Sequence, residues 1–479
     1  MPNEMLTRRA LLRASALTAA GATLAACGGP TPTPQVVVKK ETVQVKETVP
    51  VSQTVVVQAT TAPTAVPKKQ NVKLALWNIW GGSRVPLMES MFKSFTAAHP
   101  WITVENVLVP GGQRLQKIQT AIAGGAPPDV AMINQSEIPM FASRRALLAL
   151  DEYMAKDGVK ASEYYDYAIS QSQWKGKTYT LPIVSAAYHL YFYNNDHFAA
   201  AGLDPAKPPE TWDELVAVAK KLTVANGKKL SRVGYQFYHG LPGFNDFMVA
   251  IYANNGKIIS DDGRKVAFNS KEGLDALKFL VNLMQEVYGT ADAYTEWSSV
   301  QGAQDITNPF IAGTASSGMR GVWEVFYIKE GKPDLNYSLA LNPHSANAKA
   351  LTPAHGAWSY GVPVGAKYPD DSWELVEWLG HEKTASCWFM QQQGRPSPLK
   401  SCNEDKWYHD TFPKTWPTIL KMVAQSANIP ITPASGQMEA KMAPHLEAVA
   451  FGKATPEQAL ETFAKEYQTL LDTSWKEAW

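Results

Sequence analysis

The chain has 479 residues, a formal net charge of +1 and 45% hydrophobic side chains, the composition of an ordinary globular protein of two or three domains. Its charges balance and no basic run stands out, so nothing electrostatic points to nucleic acid or an anionic membrane surface as a partner.

The N-terminus reads as an export signal. Thr7-Arg8-Arg9-Ala10-Leu11-Leu12-Arg13 sets paired arginines ahead of Ala14–Ala26, which carries no charge. That stretch is too short for a membrane-spanning helix and has the form of a signal h-region. The paired arginines resemble a twin-arginine (Tat) signal; a general secretory signal is the alternative. Leu24-Ala25-Ala26-Cys27 resembles a bacterial lipobox, which makes Cys27 the lipidated new N-terminus and the membrane anchor. Residues 1–26 are thus the expected signal peptide, and 27–70 the lipidated cysteine and a flexible tether. Within the tether, Lys40-Glu41-Thr42-Val43-Gln44-Val45 recurs as Lys46-Glu47-Thr48-Val49-Pro50-Val51. The Thr/Val alternation has strand period, but Pro50 and the lysines discourage edge pairing.

From Val72 the texture changes. Val72-Lys73-Leu74-Ala75-Leu76-Trp77 reads as a buried strand, and Leu87, Met91, Phe92 and Phe95 follow at helical spacing. His99-Pro100 ends that helix and Ile102-Thr103-Val104 opens another strand. Strands alternating with helices predict an α/β body with largely parallel sheets. Thr211-Trp212-Asp213-Glu214 is a capping box, and Thr455-Pro456-Glu457-Gln458 repeats it with proline at the first helical position.

Several blocks, in order, resemble the extracellular solute-binding proteins of ABC sugar importers, the family that includes the maltose- and maltodextrin-binding proteins. They include Gly125-Ala126-Pro127-Pro128-Asp129-Val130, Leu150-Asp151-Glu152-Tyr153 and Gly176-Lys177-Thr178-Tyr179-Thr180-Leu181-Pro182. Further matches are Leu190-Tyr191-Phe192-Tyr193-Asn194-Asn195-Asp196, Gly394-Arg395-Pro396 and Phe451-Gly452-Lys453-Ala454. Phe310 to Trp323 keeps the family's Gly313, Gly321 and Trp323, but has Thr314 for the usual Lys and Ser317 for the usual Met.

The resemblance implies a two-lobed periplasmic-binding-protein fold with discontinuous lobes and an interlobe ligand cleft. The N-lobe is expected at 72–187 plus 350–397 and the C-lobe at 193–342 plus 400–479. Crossings fall near Ala187–Tyr193, Asn342–Leu351 and Pro398. The resemblance further implies a monomer without cofactor, held outside the cell membrane, that closes on a carbohydrate by a hinge motion and delivers it to ABC permease subunits with a cytoplasmic ATPase.

A sugar site needs flat apolar platforms and fixed hydrogen-bonding groups. Candidates after strands are Asn78 and Trp80, then Gln135 and Glu137. Tyr188 sits at the first crossover beside His189. Tyr238 and His239 lie in a Gly/Pro-rich loop, and Trp297 in the polar run Thr295–Ser299. Trp323 matches the family position that stacks on sugar and is the first choice; Trp358 is the second. Arg320 offers a fork for hydroxyls or a carboxylate, and Arg395 follows a loop glycine. Cys387 and Cys402 form either a disulfide, as export permits, or two unpaired thiols. The rival class, a secreted carbohydrate-active enzyme, lacks a short recognisable motif here. A ligand sensor that presents its closed form to a receptor is the third reading.

Overall fold

The computed structural model describes residues 70–478, apart from 186, 187, 239, 303, 304 and 350. The export signal, Cys27, the tether before Gln70 and His239 lie outside the described residues.

In chain order, β1 (Val72–Asn78) leads to α1 (Val85–Ala98), β2 (Ile102–Leu108), α2 (Gly111–Ala123) and β3 (Val130–Asn134). Alternate residues of β1 are fully buried, and α1 turns Met88, Met91, Phe92 and Phe95 onto the sheet, with Leu87 only partly covered. Two βα units bring β2, β1 and β3 side by side in parallel, as helix-linked strands require. A short β4 (Leu181–Pro182) ends this passage, and β5 (His189–Asn194) begins a second sheet.

Then come α3 (Trp212–Leu222), α4 (Phe244–Tyr252), α5 (Ala291–Ser299), β6 (Ser317–Gly321), α6 (Glu324–Gly331) and β7 (Tyr337–Ala340). The chain returns through β8 (Thr352–Ala354) and β9 (Trp358–Gly361), runs along α7 (Lys383–Gln392), and crosses again through β10 (Ser426–Asn428). It ends with α8 (Met438–Ala450) and α9 (Pro456–Glu477).

The first sheet has the order β2-β1-β3-β9-β4 and the second β6-β5-β7. Only β2, β1 and β3 are parallel; β9 runs antiparallel to both β3 and β4, and the second sheet is antiparallel throughout. Within these two sheets the expectation of largely parallel strands therefore holds for three strands alone. The reason is topological: β9 enters from the other sheet, free of the crossover helix that makes neighbours parallel.

All six residues of β5 are buried, and their alternation divides two cores. Leu190 and Phe192 pack with Phe310, Leu339 and Phe326, whereas Tyr191 and Tyr193 face Phe198, Leu215, Tyr235 and Met319. Both capping boxes form: Glu214 N donates to Thr211 Oγ1 at 3.3 Å and Gln458 N to Thr455 Oγ1 at 3.2 Å. Leu460, Phe463, Tyr467 and Leu471 of α9 are buried; Ala464 and Leu470 are partly so.

Leu399, Cys402, Tyr408, Trp416 and Ile419 pack with the first core, and residues from Ile429 onward pack with the second. Cys387 on α7 is disulfide-bonded to Cys402, with Cα atoms 5.3 Å apart. Leu399 bridges to Tyr164, and Tyr165 N donates to Pro398 O at 2.9 Å. The chain leaves this body through β10, which pairs in parallel with β8. No described helix is long and apolar enough to cross a membrane.

Candidate ligand cleft

The loops that follow β1, β3 and β6 converge with those before β5, β9 and α8 on a cleft of about 510 Å³, a volume suited to a small ligand. Trp80, Glu137, Tyr188, Tyr238, Trp323, Trp358 and Arg395 line it. These are seven of the twelve residues singled out from the sequence.

Trp323 stands at the centre of the aromatic wall. Its ring lies 5.3 Å from that of Tyr188 and 6.3 Å from that of Tyr238, edge-on to the latter. The ring folds back over Gly321, where a Cβ would sit 2.2 Å from a ring carbon. Glycine at 321 is therefore a steric requirement of the tryptophan's placement. Trp80 is 4% exposed and packs on Phe389 with centroids 5.1 Å apart, so it presents little more than an edge.

The polar groups of the first wall hold one another. Arg114 on α2 donates to both carboxylate oxygens of Glu137, at 2.6 and 2.7 Å, and to Met132 O at 3.2 Å. Its guanidinium lies 4.9 Å above the Trp358 ring. Burial pushes the Glu137 carboxyl up, against the pull of Arg114. Asn134 accepts from Ser136 N and Oγ at 3.0 and 2.7 Å, and donates to Gly356 O at 2.7 Å, tying the ends of β3 and β9 together.

Opposite, buried Asp246 on α4 accepts from Tyr238 N at 3.1 Å and Gly243 N at 3.0 Å. Desolvation raises the Asp246 carboxyl to about 7 despite those bonds. His355 lies 5.9 Å from Phe244; burial lowers its imidazole to about 4, so it is neutral at physiological pH.

Arg395 differs from Arg114. It is 4% exposed, its guanidinium lies 5.2 Å from the Trp323 ring, and its Nε has no hydrogen-bond partner. Gly394 turns the chain with φ of 58° just before it. Nearby Arg84 donates from Nε to Gln393 Oε1 at 2.9 Å and lies 4.9 Å over the Tyr327 ring. Burial, and then the charge of Arg84, lower the Arg395 guanidinium to about 9, which leaves it protonated at neutral pH.

Four of the remaining candidates serve the fold instead. Asn78 Oδ1 accepts from Trp80 N at 3.1 Å and its amide bonds Asn106, which shapes the loop carrying Trp80. Gln135 is fully buried and donates to Ala168 O and Ser172 Oγ at 2.8 and 2.9 Å. Trp297 lies in a helix, not a polar loop. Thr290 caps α5, and Ala291, Tyr294 and Trp297 form its buried stripe at three-residue spacing. Arg320 is buried against Glu324 at 3.3 Å, with Gln236 accepting from its other nitrogen. The twelfth, His239, is outside the described residues.

Sequence reasoning missed Arg84, Arg114, Asn245, Tyr327 and Glu439, all of which line the cleft. Arg84 follows the Gly81-Gly82 turn closely enough to have been found as part of that loop. Glu439, on α8, is far in sequence from every other lining segment except Gly436, and no local pattern marks it. Among the described residues no cluster of His, Cys, Asp and Glu suits a metal ion.

Comparison with known proteins agrees with this architecture. Residues 81–385 match the model of the bacterial extracellular solute-binding protein family. A binding protein of Brucella abortus (strain 2308) is 26% identical over 397 residues, covering 81% of this chain and 90% of the relative. The sn-glycerol-3-phosphate-binding periplasmic protein UgpB of Salmonella paratyphi A is 25% identical over 429 residues, covering 83% and 92%. Among solved structures, an ABC transporter solute-binding protein from Thermotoga lettingae, bound with alpha-D-tagatose, superposes with a TM-score of 0.70 at 26% identity. It covers 83% of this chain and 99% of its own.

Proposed function

Because the chain belongs to the bacterial extracellular solute-binding protein family, we propose that it is the lipid-anchored capture component of an ABC importer. In this reading it binds a carbohydrate or a close polyol relative in the cleft and hands it to permease subunits driven by a cytoplasmic ATPase. The observation that carries the reading is the cleft's wall of flat rings. Tyr188, Tyr238, Trp323 and Trp358 surround a small volume edged with fixed polar groups, the combination that stacks on a sugar's apolar face and bonds its hydroxyls. The relatives that carry tagatose and sn-glycerol-3-phosphate in their names support a small hydroxylated ligand.

The lobes are linked by the passages into β5, out of β7 and near Pro398, and closure bends those passages. Cys27 supplies the anchor, and the segment up to residue 70 supplies a tether that reaches about 140 Å when stretched and about 35 Å as a coil.

A thermal-shift screen of the full chain in detergent, against sugars, polyols and their phosphates, tests the function. Ligand at a hundred times its Kd stabilises by about 2.7 kcal/mol. Trp323→Ala should weaken binding of the best ligand about tenfold or more, from the loss of stacking alone. Turnover of a panel member into product would instead favour a secreted enzyme.

A further inference from the structure

Four arginines of this fold sit in or beside the cleft, and two of them have carboxylates of their own wall: Arg114 has Glu137 and Arg320 has Glu324. Arg84 and Arg395 have none. Among the described residues no carboxylate lies within ion-pair distance of either. Around Arg395 stand Arg84 and the neutral tyrosines Tyr188, Tyr238 and Tyr327 of the same cleft lining. Glu439 lines the same cleft, but among the described residues it makes no ion pair with either guanidinium.

An unpaired buried charge is expensive, and a second like charge beside it adds to the penalty. Such an arrangement persists where a ligand supplies the missing charge. The surroundings also orient the pair. Gln393 fixes Arg84 through Nε, the Tyr327 ring lies 4.9 Å from its guanidinium, and Trp323 carries Arg395 on its face. Planar forks held in this way are matched to a carboxylate or phosphate.

We infer that Arg84 and Arg395 form an oxyanion subsite of the cleft, and that the cargo is an anionic sugar or polyol, a phosphate ester or a carboxylate, whose carbon skeleton lies against Trp323. This rests on the solute-binding reading above and narrows its ligand class. Neutral hydroxyls fill the site less well, because they leave both guanidiniums without a counter-charge.

The test is calorimetric titration of the full chain in detergent with matched pairs: glucose 6-phosphate and glucuronate against glucose, and glycerol 3-phosphate against glycerol. At least one anionic member should bind tenfold or more tightly than its neutral partner, and 0.5 M salt should narrow that gap. The phosphate and carboxylate arms tell which oxyanion is preferred. Arg395→Gln and, separately, Arg84→Gln should each weaken the anionic member at least tenfold while changing a neutral sugar much less. The wild-type pair ratio needs no variant, so a misfolded mutant does not decide the matter. Equal binding within every pair, or neutral sugars bound tightly with the anions excluded, overturns the subsite and leaves the carbohydrate-binding reading standing. Binding of no member of any pair overturns both.

Discussion

Arg320 and Arg395 are each 4% exposed, and both adjoin the Trp323 wall, one three residues before it in sequence and the other 5.2 Å from its ring. Burial lowers both guanidiniums, but the neighbouring charge then acts in opposite directions: Glu324 raises Arg320 again, whereas Arg84 lowers Arg395 further. Arg320 is also held by Gln236, and its carboxylate partner accepts in turn from Asn308. Each of the two leaves its Nε unbonded, so the carboxylate is what separates them. A buried cation that is satisfied within its own wall serves the fold. One that is left unsatisfied toward a cleft is available to a ligand.

The largest way to break this contrast is to strip Arg320 of its partner. Glu324→Ala should lower the unfolding free energy by about 3–5 kcal/mol in urea denaturation, because it leaves a buried uncompensated charge. A loss under about 1 kcal/mol would mean the pair is no better than a surface one.

Asp246 is a third solution to the same problem, a buried charge met among the described residues by backbone N–H groups. Its carboxyl is raised to about 7 in the folded chain, from about 3.9 in the unfolded one. Below about pH 4 both states hold the proton and the site carries no penalty. As pH rises to about 7 the unfolded chain ionises first, so stability falls, by up to about 1.4 kcal/mol per pH unit, and then levels. Denaturation of wild type and Asp246→Asn across pH 4–8 should show this downward slope removed in the variant; parallel profiles would assign the slope elsewhere.

The smallest expected effect is the most discriminating. Arg395→Met should leave the stability of the ligand-free protein unchanged or raise it by about 1 kcal/mol, since it removes an unpaired buried charge. Arg320→Met should do the reverse by stranding Glu324. If both variants destabilise equally, Arg395 has a structural role that the contacts do not reveal.

Much of the cleft was legible because its parts sit in short ordered motifs. Trp323 followed from the spacing to Gly313 and Gly321, and Tyr188 from its place before β5. Asn78 and Gln135 were placed on the right loops but turned inward, since the same polar group that bonds a ligand also bonds a loop. Trp297 was misread because Ser298 and Ser299 look like loop residues, while the cap at Thr290 and the spacing of Ala291, Tyr294 and Trp297 in fact make a helix.

The sequence by itself determined the α/β alternation, the capped helices and the family, because these depend on patterns only a few residues long and on their order. The tertiary structure decided which arginines are paired, that 399–423 pack with the first core, and that Cys387 meets Cys402. Glu137 lies 23 residues from Arg114, and Arg84 lies 309 from Gln393. Charge compensation depends on distance in space, and no local periodicity records it.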